Sequence, residues 1–155
     1  MGMVEIDKNK IAEIMEKHSI IVGYVFGSVA RGTLRPHSDI DVAVLFPYDM
    51  PKEKQGMSRE EIRDEIASVF GVEKVDVINL NQQTNPVLRY DAVLEGKAVL
   101  VKDVAVKAQL TRAVLREYEN TRHLRETSYK ILRRQIRSGQ FGRAAINSQK
   151  YVSFK

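Results

Sequence analysis

The chain has 155 residues, 43% of them hydrophobic, and no cysteine; one domain with a sizeable core is expected, and disulfides, thiolate metal sites and a cysteine nucleophile are excluded. No run approaches the roughly 20 apolar residues of a membrane span and the first residues do not read as a secretory leader, so a cytoplasmic protein with no membrane partner is expected. The net charge of +5 hides a division: residues 1–101 carry 12 Lys/Arg against 16 Asp/Glu, and residues 102–155 carry 13 against 4.

Taken in chain order, Asp7 to His18 reads as a helix, with Ile11, Ile14, Met15 and His18 at helical spacing and Asp7 as N-cap. His18 is expected as a favourable cation near the terminal carbonyls rather than a ligand. Two short apolar runs, Ile20 to Phe26 and Ile40 to Phe46, read as strands. In the second, Ile40, Val42, Val44 and Phe46 share one face, which puts Asp39 and Asp41 together on the other. Side-by-side carboxylates repel, so a cation is expected between them. One or two Mg2+ ions carrying a nucleotide's phosphates would satisfy that need.

Gly27 and Ser28, at the end of the first strand, suit the other half of such a site. Gly27 gives a corner free of a side chain, and residues 28–31 read as a short helical turn closed by Gly32. The N–H groups opening that turn and the Ser28 hydroxyl would meet an anion. Arg31 is either a charge-neutralising group or simply a helix C-terminal cation. A phosphate grip beside a metal grip makes a site for phosphate transfer; the plain alternative is two solvated aspartates after an ordinary glycine turn.

Pro47 to Met57 reads as a polar connection, with a lid as the less favoured reading. Ser58-Arg59-Glu60-Glu61 has the form of a capping box and predicts a helix start, with Ile62, Ile66, Val69 and Phe70 inward and Gly71 as the stop. Glu73 to Leu80 alternates as a strand, with Val75 and Val77 on one side and Lys74, Asp76 and Ile78 on the other. Asp76 is then a carboxylate among apolar neighbours in an expected central strand, costly there without a partner; the plain and less favoured alternative is an edge-strand aspartate facing water. Asn85-Pro86 starts a helix running through Leu88, Val93 and Leu94 to Gly96, and Lys97 to Val101 reads as a strand. The order implies an α/β sheet with helices on one or both faces.

From Asp103 to about Ser138 the pattern is helical, with a stripe of Val106, Leu110, Val114, Leu124, Ile131, Leu132 and Ile136. The polar stretch from Glu117 to Arg125 predicts a break near Asn120. Residues 139–155 show no period and are expected as a flexible tail. Tyr118, Tyr129 and Tyr151 interleave with arginines; helix packing explains the first two more simply than nucleic-acid stacking.

Gly27-Ser28, ten residues and then Asp39-Ile40-Asp41 resembles the G-S-x10-D-x-D signature of the polymerase-beta-like nucleotidyltransferases. The fuller strings, Gly27 to Gly32 and Ser38 to Val44, look most like the MNT (minimal nucleotidyltransferase) antitoxins of HEPN/MNT toxin–antitoxin pairs. The resemblance implies a small mixed sheet flanked by helices over residues 1–101 and a basic helical extension over 102–138, ahead of the tail. It implies Asp39, Asp41 and Asp76 as catalytic, metal-binding residues; Asp76 is the only acidic residue matching the family's third carboxylate by position. Gly27, Ser28, Arg31 and Ser38 would bind the nucleotide, with two Mg2+ ions as cofactors and ATP as substrate.

The implied reaction moves AMP to a tyrosine hydroxyl of a partner HEPN ribonuclease toxin and thereby silences it. Two alternatives stand beside it. A small-molecule nucleotidyltransferase of the aminoglycoside-modifying type generally has a larger second domain than the residues after Val101 allow. A non-catalytic module binding a partner or nucleic acid would not need three carboxylates. The basic third is expected to dock the toxin through its apolar stripe; direct nucleic-acid binding is the less favoured reading.

Overall fold

The structure, a computed structural model, describes residues 6–27 and 39–138. Helix α1 (Lys8–Lys17) begins at Asp7, whose side chain accepts from the Asn9 N–H at 2.9 Å, as an N-cap should. Strands β1 (Val22–Phe26) and β2 (Ile40–Leu45) follow, then helix α2 (Lys52–Phe70) and strand β3 (Val75–Asn79). A short helix α3 (Pro86–Tyr90) continues into a π-helical turn (Asp91–Glu95); strand β4 (Lys97–Val101) and helix α4 (Val104–Ser138) complete the described chain.

The four strands form one mixed sheet in the order β3-β2-β1-β4. β1 pairs antiparallel with β2 and β4, whereas β2 and β3 run parallel. Each face has its own apolar cluster, as the two-residue period of the strands requires. On one face Ile11, Met15, Ile62 and Ile66 of α1 and α2 pack on Val25, Ile40, Val42 and Val44. On the other, Tyr24, Phe26 and Ala43 lie beneath Ala92, Val93, Leu110 and Val114. No helix among the described residues is long and apolar enough to cross a membrane.

Several expectations need correcting. Helix α2 starts at Lys52 after Pro51, not at Ser58, so the connection after β2 shrinks to residues 46–51 and residues 52–57 form neither loop nor lid. Tertiary bonds hold that earlier start. Buried Gln55 donates to the Met50 carbonyl at 2.8 Å and accepts from Asn79 Nδ2 at 3.0 Å, tying the first turn to the end of β3. Val69, expected inward, is half exposed, whereas Ile62 and Ile66 are fully buried.

Helix α4 does not break at Asn120. Its polar middle is carried by pairs along the helix: Arg122 meets Glu126 at 3.1 Å and Glu119 at 3.5 Å, and Arg125 lies 4.0 Å over the Tyr118 ring. His18 ends α1, but its ring pairs with α2 rather than with carbonyls, 2.8 Å from Glu65 and 3.5 Å from Glu61. Finally, β3 is an edge strand, not a central one. Its outer side is partly closed by Arg59, whose Nε donates to the Val77 carbonyl at 2.8 Å.

Candidate active site

The strand register brings three positions into a row at one end of the sheet: Phe26 of β1 stands opposite Asp41 of β2, and Asp41 beside Asp76 of β3. Directly paired residues project from the same face, so the two carboxylates point the same way from neighbouring strands. Asp39 immediately precedes β2 and is near enough for its charge to act on Asp41. Asp76 sits at the sheet edge with its side chain exposed, while Asp41 is only partly exposed. That edge position explains how β3 tolerates a carboxylate: it faces Asp41 on one side and water on the other.

Asp41 carries the electrostatic burden. Its pKa is pushed up to about 6, first by burial, then by the charges of Asp76 and Asp39 and by a hydrogen bond with Asp76. Lys74 opposes the rise; its Nζ lies 3.5 Å from Asp39 Oδ2. A proton retained on Asp41 and an ammonium against Asp39 are two ways of relieving the same crowding of negative charge.

Gly27 closes the site on the β1 side. Its backbone is left-handed, φ +64°, and an added Cβ would lie 2.5 Å from Asp41 Oδ2. Both facts demand glycine: a side chain would be strained there and would collide with the carboxylate. Ser28, Arg31 and Ser38, expected to bind the nucleotide, and the turn through Gly32 lie outside the described residues.

Among the described residues no three acidic or histidine side chains form a ready metal cage. Asp41 stands beside Asp76 in the strand register, while Asp39 pairs with Lys74. The donor set nevertheless fits Mg2+, which prefers oxygen ligands, uses one or two carboxylates, and takes its remaining oxygens from water and phosphate. Asp39 and Asp41 are the residues that would hold it, with Asp76 alongside. Lys74 was not singled out from the sequence as a site residue, although its place on the Asp76 side of the β3 alternation was the available signal.

Comparison with known proteins bears on the family and the fold. Residues 9–105 match the polymerase beta nucleotidyltransferase family. A protein adenylyltransferase, MntA of Shewanella oneidensis, is 30% identical over 97 residues, a stretch covering 61% of this chain and 66%, just under two thirds, of that protein. A crystal structure of a toxin–antitoxin with AMP-PNP superposes with a TM-score of 0.69 at 23% identity, covering 82% of this chain and 98% of the other. A structure of a tri-AMPylated Shewanella oneidensis HEPN toxin in complex with MNT antitoxin superposes with a TM-score of 0.62 at 21% identity, covering 81% and 94%. At those identities the two superpositions speak for the fold.

Proposed function

The chain belongs to the polymerase beta nucleotidyltransferase family, and from that premise we propose that it moves AMP from ATP to a tyrosine hydroxyl of a HEPN ribonuclease toxin, as that toxin's antitoxin. The observation that carries the reading is the pairing of Asp41 with Asp76 on adjacent strands, with Asp39 near enough for its charge to act on Asp41. Similarity to a protein adenylyltransferase supports AMP as the group moved. The fold likeness to an antitoxin bound to an AMPylated HEPN toxin supports the acceptor.

In this reading Asp39 and Asp41 hold Mg2+, which when bound neutralises the triphosphate and favours departure of pyrophosphate. Gly27 lets the backbone approach the phosphates, and Ser28, Arg31 and Ser38 supply donors to them. Asp76, at the solvent edge, completes the metal site and takes the phenolic proton. The tyrosine oxygen then forms a bond to the phosphorus next to the ribose, and the bond from that phosphorus to the pyrophosphate oxygen breaks. The protein works in the cytoplasm, where ATP and a ribonuclease target coexist.

The test is to incubate the chain with Mg2+, ATP and its cognate HEPN protein, then follow the toxin's ribonuclease activity and map modified residues by mass spectrometry. A tyrosine carrying AMP, parallel loss of ribonuclease activity, and failure of both with Asp39→Ala plus Asp41→Ala are expected. AMP found instead on an RNA end or an aminoglycoside, with the HEPN protein untouched, would contradict the acceptor while leaving the site standing.

A further inference from the structure

We propose that the distal half of α4, residues 121–136, is a docking arm for an acidic partner protein; the proposal rests on the functional reading above and identifies that partner with the acceptor. Helix α4 has 35 residues, roughly 50 Å at 1.5 Å per residue. Its proximal half is used by the fold itself. Leu110 and Val114 are buried against the sheet, Tyr118 stacks on Tyr90 at 4.0 Å, and Glu117 pairs with Arg89 at 3.0 Å. The inner part of the sequence stripe is therefore unavailable to a partner.

Beyond Tyr118 the same face continues with Leu124, Tyr129, Ile131 and Ile136 uncovered by the other described elements. Leu132 lies on the row that begins with Leu110 and Val114, reached by steps of three and four residues. Leu124 and Ile131, seven apart, flank it on one side; Tyr129 and Ile136, also seven apart, flank it on the other. These four side chains are 52%, 42%, 57% and 58% exposed. From Glu119 to Arg134 the described polar contacts all remain within α4. An amphipathic helix whose apolar stripes meet no other described element gains little support from the sheet there, and isolated helices are marginal.

Charge selects the occupant. Residues 119–138 hold six Lys/Arg against two Glu. A second copy would bring two such arms together, like charge on like. An RNA backbone would engage the charges but gain nothing from Leu124, Ile131 or Ile136. A protein groove with an apolar floor and acidic rim fits both properties, in the manner of a helix laid into a groove.

The experiment titrates the full chain against the cognate HEPN protein by calorimetry, with adenylylation measured in parallel. Leu124→Asp plus Ile131→Asp is expected to weaken binding by roughly 100-fold, with far-UV circular dichroism unchanged. Lys130→Asp makes the same change in charge on the opposite side of the helix and should weaken it by no more than about fivefold. A milder pair on the other flank, Tyr129→Ala plus Ile136→Ala, should cost about tenfold and decides the matter if the double aspartate variant loses helix.

If the face variants bind like the wild type, which still adenylylates the HEPN protein, the arm is wrong and the functional reading survives. Equal losses in Lys130→Asp and the face variants would mean charge alone acts, and would overturn the docking face. So would a dimer of the chain alone, a 30-nucleotide RNA complex or anionic-vesicle binding abolished by the face variants. A wild type that neither binds nor modifies the HEPN protein removes both readings together.

Discussion

Replacing Asp41 with asparagine should stabilise the metal-free protein while abolishing transfer. The Asp41 carboxyl is pushed from 3.8 to about 6, chiefly by burial and by Asp76. Because the folded pKa lies above the unfolded one, the folded protein holds the extra proton between about pH 4 and 6, and the stabilisation that proton brings is lost as pH rises through about 6. Such a rise corresponds to about 3 kcal/mol against the ionised form above pH 7. The carboxylate is partly exposed, and solvent screening reduces the expected gain to about 1–2 kcal/mol. Asparagine keeps the shape and can donate a hydrogen bond to Asp76. Urea unfolding in EDTA at pH 7.5 should show Asp41→Asn more stable than wild type, and near pH 4 the gap should close. A variant less stable than wild type at pH 7.5, or a gap independent of pH, would refute the argument that Asp41 is a strained, crowded acid.

Lys74→Gln should raise the Asp41 pKa further, since the ammonium opposes that rise, and move the acid limb of activity to higher pH; carboxyl titration by NMR checks the direction. Gly27→Val combines a left-handed backbone with a close approach to Asp41 Oδ2, so it should cost about 1–2 kcal/mol for the backbone alone and weaken ATP binding, measured by denaturation and calorimetry. Ile62→Ala, in the fully buried cluster between α2 and the sheet, should cost about 2–5 kcal/mol in urea unfolding.

The two-residue period was enough to set Asp41 apart from the buried Ile40, Val42 and Val44 and Asp76 apart from the buried Val75 and Val77. Which strand lies beside β2 is a matter of pairing, not period. For that reason the alternation of β3 left central and edge placements both open, and the strand order decides for the edge. The start of α2 escaped because Ser58 and Glu61 mimic a cap locally, whereas the actual first turn is held by Gln55 reaching Asn79, far away in sequence. The continuity of α4 escaped for the opposite reason: its polar middle is stabilised by pairs along the helix, such as Arg122 with Glu126, rather than by an apolar face. The π-helical turn ends at Gly96, where an added Cβ would crowd the Ala92 and Val25 carbonyls, a tertiary constraint that periodicity does not signal.

The measurement that bears most directly on the central claim uses ATP labelled either at the phosphorus next to the ribose or at the terminal phosphorus. With Mg2+ and the cognate HEPN protein, label should pass to a toxin tyrosine from the first form only, and should disappear with Asp39→Asn, Asp41→Asn or Asp76→Asn. Transfer from the terminal phosphorus, or transfer undiminished when Asp76 is replaced, would contradict a nucleotidyl-transfer site built from these three carboxylates.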